Sequence, residues 1–196
     1  MFHDIPKEIL DQMKVLEELD AQDRQDGTNQ IKRLRQIPPE TGKFIAIQAA
    51  SVPEGAWVEI GTSAGYSALW ISLAAKLKKE KLFTYELLQD KVALAKNTFK
   101  QTKVTEVVEL VHGDARGHVG HYEEIAFAFL DSEKEMYEEF YDLIVPLLVP
   151  GGLLIADNFL SHEEYLAPLK AKAEGDERID SVIVPIGRGL LLSRKV

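Results

Sequence analysis

Two apolar runs in the second half of the chain end in oxygen-bearing side chains: Phe129-Leu130-Asp131 and Ile155-Ala156-Asp157-Asn158. If both runs are strands lying side by side, their carboxyl ends are about 5 Å apart. Asp131, Asp157 and Asn158 then converge outside the sheet, where open α/β folds bind ligands. Unpaired carboxylates so placed repel, and a hard divalent cation resolves the conflict. An all-oxygen set with room for water suits Mg²⁺, Mn²⁺ or Ca²⁺ and argues against zinc or copper. One geometric condition applies. Successive strand residues point to opposite faces, so Asp157 and Asn158 reach one ion only if the strand ends between them. The plainer alternative is that Asp131 caps the next helix and Asp157-Asn158 forms a turn. That reading is better for either site alone; the metal reading is better for both together. Lys134 follows Asp131 by three residues. An amine near a bound cation suits a general base, although spacing alone favours a solvated lysine. Ser132 with Glu135 fits a helix capping box.

A second group lies in Val58-Glu59-Ile60-Gly61-Thr62-Ser63-Ala64-Gly65-Tyr66-Ser67. Glycines at 61 and 65 allow a tight turn and close approach of a ligand to the backbone. A dinucleotide fingerprint also needs glycine at 63 and 66, where this chain has Ser63 and Tyr66, so a pyrophosphate turn is poorly supported. Glu59 falls inside an apolar strand, where a carboxylate is costly unless partnered. Its partner is either a ligand's ammonium group or backbone donors of the core, and the two readings weigh evenly. Glu86 ends the next strand and can accept two hydrogen bonds from a ribose diol, or it is simply solvated. Gly113-Asp114-Ala115 either faces an adenine or forms an ordinary Asp-containing turn.

The elements that must position these residues change character along the chain. Residues 1–52 read as helical: Ile9, Leu10, Met13, Leu16 and Leu19 recur at helical spacing until Asp26-Gly27. Ile31, Leu34 and Ile37 make a short second stripe stopped by Pro38-Pro39. Phe44, Ile45, Gln48 and Ala49 suggest a third helix. Residues 53–196 alternate strand and helix. Strands are expected at Ala56–Ile60, Leu82–Glu86, Val107–Val111, Ile125–Asp131 and Leu153–Asp157, several of them continuous apolar runs typical of buried parallel strands. Helices are expected at Tyr66–Leu77, Asp90–Lys100, Glu133–Leu148 and Ser161–Ala173. Ile179–Pro185 and Gly189–Ser193 close the chain around a turn short enough for a hairpin, so the last strand should run antiparallel. The expectation is one α/β domain of 196 residues with a doubly wound sheet and N-terminal helices.

Composition narrows the partners. A formal net charge of −9 argues against extended nucleic-acid contact. No apolar run approaches the ~20 residues of a membrane span, and the first residues lack a secretory signal. The chain has no cysteine, which removes disulfides, thiolate metal sites and thiol nucleophiles. A cytoplasmic globular protein acting on small molecules is expected. His112, His118 and His121 match no zinc spacing, and Lys32, Arg33 and Arg35 either meet a phosphate on a substrate or, the better reading, form a solvated helix face.

Assembled, these residues resemble the metal-dependent O-methyltransferase family that includes catechol and caffeoyl-CoA O-methyltransferases. The resemblance runs from about Ile37 to the C-terminus. It rests on VEIGTSAGYSALW, YE at 85–86, GDA at 113–115, FLDSEK at 129–134, GGLLIADN at 151–158 and PIGRGLLLSRK at 185–195. It implies a seven-stranded Rossmann-like sheet of order 3-2-1-4-5-7-6 with the seventh strand antiparallel. It also implies that S-adenosylmethionine is bound at the 59–67 turn, with Glu59, Gly61 and Ser67 at its methionine end and Ser63 and Tyr66 beside them. Glu86 would then hold the ribose, and Asp114 with Ala115 would flank the adenine. Asp131, Asp157 and Asn158 would bind the metal, Asp131 would also touch the cofactor and take part in catalysis, and Lys134 would stand where the catechol enzymes place their catalytic lysine. The acceptor would be a small hydroxylated molecule, a vicinal diol by analogy. Two departures bear on that acceptor. Many relatives follow the Asp-Asn pair with Trp, where this chain has Phe159-Leu160-Ser161, and the C-terminal turn that often reads G-D-G has Arg188 in place of Asp. Two other classes compete. One is an NAD-type oxidoreductase on a similar sheet; the other is a non-catalytic S-adenosylmethionine-binding protein whose N-terminal helices make a homodimer.

Overall fold

The run Ile125-Ala-Phe-Ala-Phe-Leu130 is buried at every residue, as a parallel strand covered on both faces must be. In the computed structural model, which describes residues 1–196, this run is the centre of a seven-stranded sheet ordered β3-β2-β1-β4-β5-β7-β6. The strands are β1 Ala56–Ile60, β2 Leu82–Glu86, β3 Val108–His112, β4 Ile125–Leu130, β5 Leu148–Ala156, β6 Ile179–Val184 and β7 Leu190–Lys195. The first five are parallel, and β7 runs antiparallel to both β5 and β6. The helices are α1 Lys7–Asp23, α2 Pro39–Ala49, α3 Tyr66–Lys78, α4 Gln89–Thr102, α5 Arg116–Val119, α6 Tyr137–Ile144 and α7 Glu163–Glu174. None is long and apolar enough to cross a membrane.

Period-two alternation divides the interior into two cores. Trp57, Phe127, Phe129 and Ile155 face one way and pack with Ile9, Met13 and Leu16 of α1, Ile45 and Ala49 of α2, and the apolar stripe of α3. Val58, Ile60, Ala128 and Leu130 face the other way, against Phe140 and Tyr141 of α6 and Leu166 and Leu169 of α7. The sheet order reverses between β1 and β4, and the carboxyl ends of those strands frame the crevice where doubly wound folds hold ligands.

Three local expectations are corrected. Ile31, Leu34 and Ile37 form no helix. Side chains in this segment take the amides a helix would use: Asp26 accepts from Thr28 N (2.9 Å), Asn29 from Ile31 N (3.0 Å), Asp23 from Leu34 N (3.1 Å) and Asp20 from Gln36 N (3.2 Å). Residues 24–38 therefore make an irregular loop, and Pro39 opens α2 at its first turn rather than ending a helix. The expected helix 133–148 is broken. Lys134–Met136 and Val145–Leu147 are 3₁₀ turns flanking α6, and β5 starts at Leu148, not Leu153. Ser132 does not cap: its hydroxyl reaches only the Glu133 carbonyl, at 3.4 Å, because the α-helix starts further on at Tyr137.

Candidate active site

A cavity of about 850 Å³ opens over the carboxyl ends of β1, β2 and β4. Gly61, Ser63, Tyr66, Ser67, Glu86, Asp114, Ala115, Asp131, Lys134 and Asn158 all line it. Glu59 and Asp157, both fully buried, stand in the strand ends behind that lining. Thus every residue singled out for chemistry belongs to one region.

At the β1 end, Gly61 (φ 104°) brings the turn against β4: a Cβ there would run into the Asp131 carbonyl oxygen. Gly61 N and Thr62 N both donate to Tyr85 O, at 3.0 and 3.2 Å. Glu59 accepts at Oε2 from the Thr84 hydroxyl (2.6 Å), which is itself 2.6 Å from the Thr62 hydroxyl. Its Oε1 has no partner. Burial pushes the Glu59 carboxyl up to about 7, and the nearby Ser67 and Thr84 hydroxyls draw it back only in part. Thr84 thus satisfies one oxygen of this carboxylate, and the Ser67 hydroxyl, although near, makes no hydrogen bond to the other. An ammonium group at Oε1 would fit the remainder. Glu86 accepts from Ser63 N (2.8 Å) and Leu88 N (2.9 Å), one bond at each oxygen, so lone pairs remain for a diol. Asp114 lines the cavity while its carboxylate clasps Arg116, which holds it below its ordinary range.

At the β4–β5 end, the register pairs Leu130 with Ala156, and Asp157 N donates to Leu130 O at 3.0 Å. β5 ends at Ala156, before Asp157 and not between Asp157 and Asn158, and the left-handed φ of 75° at Asn158 lets the two side chains meet. Asn158 Nδ2 lies 3.2 Å from Asp131 Oδ1 and 2.8 Å from Asp157 Oδ2. Burial and then the charge of Asp131 push the Asp157 carboxyl upward, and its Oδ1 is buried with no partner. No cluster of three His, Cys, Asp or Glu side chains forms in the chain. Here the convergent set is two carboxylates and one amide. An orphaned buried carboxylate oxygen beside a second carboxylate fits a hard divalent cation, and the Asn158 amide, which now turns its Nδ2 to both carboxylates, offers its oxygen to that cation once turned over. Lys134 Nζ sits 3.3 Å from Asp131 Oδ1, donates to Ser132 O (2.8 Å), and lies 2.7 Å from the Tyr137 hydroxyl.

Sequence reasoning missed two parts of this site. Loop 24–38, taken partly for a solvated helix face, covers the cavity. Its Leu34 carbonyl accepts from Ser63 Oγ (2.8 Å), Lys91 Nζ reaches the Lys32 and Arg33 carbonyls, and Arg35 pairs with Glu133 (2.5 Å). Tyr137, fully buried, fixes Lys134 and was read only as part of a helix. Side-chain-to-backbone contacts across dozens of residues leave no periodic signal.

Comparisons with known proteins identify a family and a shared fold. The O-methyltransferase family model matches residues 7–196. A catechol O-methyltransferase from Niastella koreensis is 29% identical over 129 residues, covering 63% of this chain and 58% of that protein, less than two thirds of its length. Caffeoyl-CoA O-methyltransferase 2 of Petunia hybrida is 26% identical over 188 residues, covering 80% of this chain and 75% of that one. Among solved structures, an O-methyltransferase from Bacillus cereus in complex with S-adenosylhomocysteine superposes with a TM-score of 0.79 at 17% identity, covering 95% of this chain and 91% of that one. An S-adenosylhomocysteine-bound methyltransferase from Podospora anserina gives 0.80 at 20% identity, covering 98% and 89%. At such identities these two establish the shared sheet.

Proposed function

Because the chain belongs to the O-methyltransferase family, we propose that it moves the methyl group of S-adenosylmethionine to a hydroxyl of a small acceptor, with a divalent cation at Asp131, Asp157 and Asn158. The observation that carries this reading is a pair of buried, unpartnered carboxylate oxygens, Glu59 Oε1 and Asp157 Oδ1. One stands at the β1 turn and the other at the β4–β5 edge, so a cationic methyl donor and a metal ion each have a waiting counter-charge. The names of the relatives, catechol and caffeoyl-CoA O-methyltransferase, support a vicinal diol as the acceptor.

In this reading Glu59 holds the donor's ammonium group and Glu86 its ribose hydroxyls. The 61–67 turn lets the donor lie close to the backbone. Asp131, Asp157 and Asn158 would hold the cation, whose Lewis acidity would make the acceptor hydroxyl more acidic. Lys134, which lines the cavity beside Asp131, would enter this step as the neutral amine and receive the hydroxyl proton on Nζ. The acceptor oxygen then forms its bond to the methyl carbon as the carbon–sulfur bond breaks, and that electron pair stays on sulfur. Opposite charges are neutralised in this displacement, so positioning supplies most of the acceleration. Loop 24–38 serves it by covering the cavity.

Thermal unfolding with S-adenosylhomocysteine and with NADH, each in Mg²⁺ and in EDTA, tests the donor. A ligand at 100 times its dissociation constant stabilises by about 2.7 kcal/mol, or roughly 5–11 °C for a chain this size. A shift with the homocysteine compound alone is expected. A shift with NADH alone would replace this function by a redox one. Ser63 and Tyr66, where a dinucleotide turn needs glycine, argue against that outcome. Lys134→Met should lower turnover by about 10²–10⁴-fold, the usual worth of a positioned base, while the S-adenosylhomocysteine shift persists. Unchanged turnover would remove Lys134 from the chemistry.

A further inference from the structure

Nearly every Lys and Arg on the cavity wall is already engaged. Arg24 pairs with Asp20, Arg35 with Glu133, Arg116 with Asp114 and Glu139, and Lys134 with Asp131. Arg33 Nε donates to Thr28 O, and Lys91 Nζ to two loop carbonyls. Arg188 lines the same cavity, is half-buried, and its guanidinium makes neither a hydrogen bond nor an ion pair. Its five N–H donors and full charge have no protein partner and are open to a ligand in the cavity.

The backbone around Arg188 is a built position. The turn between β6 and β7 is fastened to the segment after Asn158: Leu160 N and Ser161 N donate to Arg188 O at 2.9 and 3.1 Å, and Phe159 N donates to Gly189 O at 2.9 Å. Flanking Gly187 (φ 58°) and Gly189 (φ 84°) are tight on both sides. A Cβ on the first would strike the Thr41 hydroxyl of α2, and one on the second the Leu160 backbone and side chain. The guanidinium is therefore presented on the Asp157–Asn158 side of the cavity, where the acceptor's hydroxyl must lie, and away from the Glu59 turn. With a net charge of −9 the chain as a whole repels anions, so an acidic ligand needs a local cation of this kind.

We propose that Arg188 selects acceptors that carry an anionic group, a carboxylate or a phosphonate-type oxyanion, beside the hydroxyl to be methylated. This inference rests on the methyl-transfer reading of the cavity. The guanidinium fork matches either oxyanion with two parallel hydrogen bonds. The competing role is electrostatic: Arg188 also helps hold down the Asp157 carboxyl, and could do no more than balance the buried carboxylates.

The test uses the full chain with Mg²⁺ and S-adenosylmethionine and compares kcat/KM for catechol, 3,4-dihydroxybenzoate, 3,4-dihydroxyphenylphosphonate and 3,4-dihydroxybenzylamine. The acids should exceed catechol by about 10–100-fold, and their ranking separates carboxylate from phosphonate. In Arg188→Gln the acid-to-catechol ratio should fall to near one, and in Arg188→Glu the amine should become the best acceptor. Equilibrium binding of the four compounds in the presence of S-adenosylhomocysteine reads the same preference without turnover. Arg188-dependent binding of the acids with no methyl transfer would uphold the inference and overturn the transfer reading. Turnover with no acid preference, a preference that survives Arg188→Gln, an equal loss for every acceptor, or no binding of the acids would each overturn the inference.

Discussion

Glu59→Gln should make the ligand-free protein more stable at pH 8 and deprive it of its methyl donor. The Glu59 carboxyl is wholly buried and titrates near 7 in the fold against an ordinary value of 4.5. Between those values the folded chain keeps a proton that the unfolded chain has released. Stability therefore falls as pH rises through this window. The penalty is absent below 4.5 and complete above 7, where it reaches ~3 kcal/mol at about 1.36 kcal/mol per pKa unit. Glutamine removes the charge, although its amide meets the same unpartnered corner, so a net gain of ~2 kcal/mol, or roughly 4–8 °C, is expected at pH 8. At pH 5 the two proteins should unfold nearly together. S-adenosylhomocysteine affinity should drop by about 100-fold or more, since a buried ammonium loses its counter-charge. Chemical denaturation at both pH values, with calorimetric titration of the ligand, checks each part. Equal stability differences at pH 5 and pH 8 would show that Glu59 is not held as a strained carboxyl.

The same burial made Glu59 visible in the sequence. A carboxylate inside Ala56-Trp-Val-Glu-Ile60 breaks an apolar run, and such a break signals either a partner or a cost. Strands β1 and β2 were legible to the residue because continuous apolar runs bounded by turn residues carry their own limits. The antiparallel β7 followed from the shortness of the 185–189 turn. The β5 start did not. Leu148-Val-Pro-Gly-Gly reads as a helix end followed by a loop, yet in the fold it opens the strand, with Leu148 pairing to Ile125 of β4. Propensity loses there to the neighbour's edge.

The loop over the cavity shows the other limit. Ile31, Leu34 and Ile37 sit at spacings that suit one helical face, but Leu34 and Ile37 are buried in a loop and Ile31 is 62% exposed. What fixes the loop is long-range: Asp20 and Asp23 of α1 hold its amides, and Ser63 and Lys91 hold its carbonyls. None of those pairings has a sequence period. The Asp131, Asp157 and Asn158 group was legible because strand ends are fixed points of a doubly wound sheet, so residue types there carry positional meaning. Arg188 was visible as a substitution in a turn, but only the surrounding ion pairs show that it alone among the cavity's cations has no partner.

Asp157→Asn separates the metal from the methyl donor. Asp157 sits behind the cavity wall with Oδ1 unpartnered, and its charge is opposed by burial and by neighbouring Asp131. The isosteric amide removes that repulsion, so the metal-free variant should unfold at the same temperature as the parent or slightly higher. Mg²⁺ should then add no stability to the variant, whereas it stabilises the parent. S-adenosylhomocysteine affinity should change by only a few-fold, because Glu59 and Glu86 stand on β1 and β2 and not on the β4–β5 edge that carries Asp157. Turnover in Mg²⁺ should fall by about 10³-fold or more, the several kcal/mol that a Lewis-acid cation contributes to a developing oxyanion. EDTA should bring the parent down to the same level and leave the variant where it is. If the parent kept full activity in EDTA, or the variant kept its Mg²⁺ stabilisation, the carboxylate pair would be a structural feature of the strand ends. Methyl transfer would then depend on Lys134 and donor positioning alone. If both controls behave as expected, the two buried orphan oxygens have separate ligands, and each can be removed without disturbing the other.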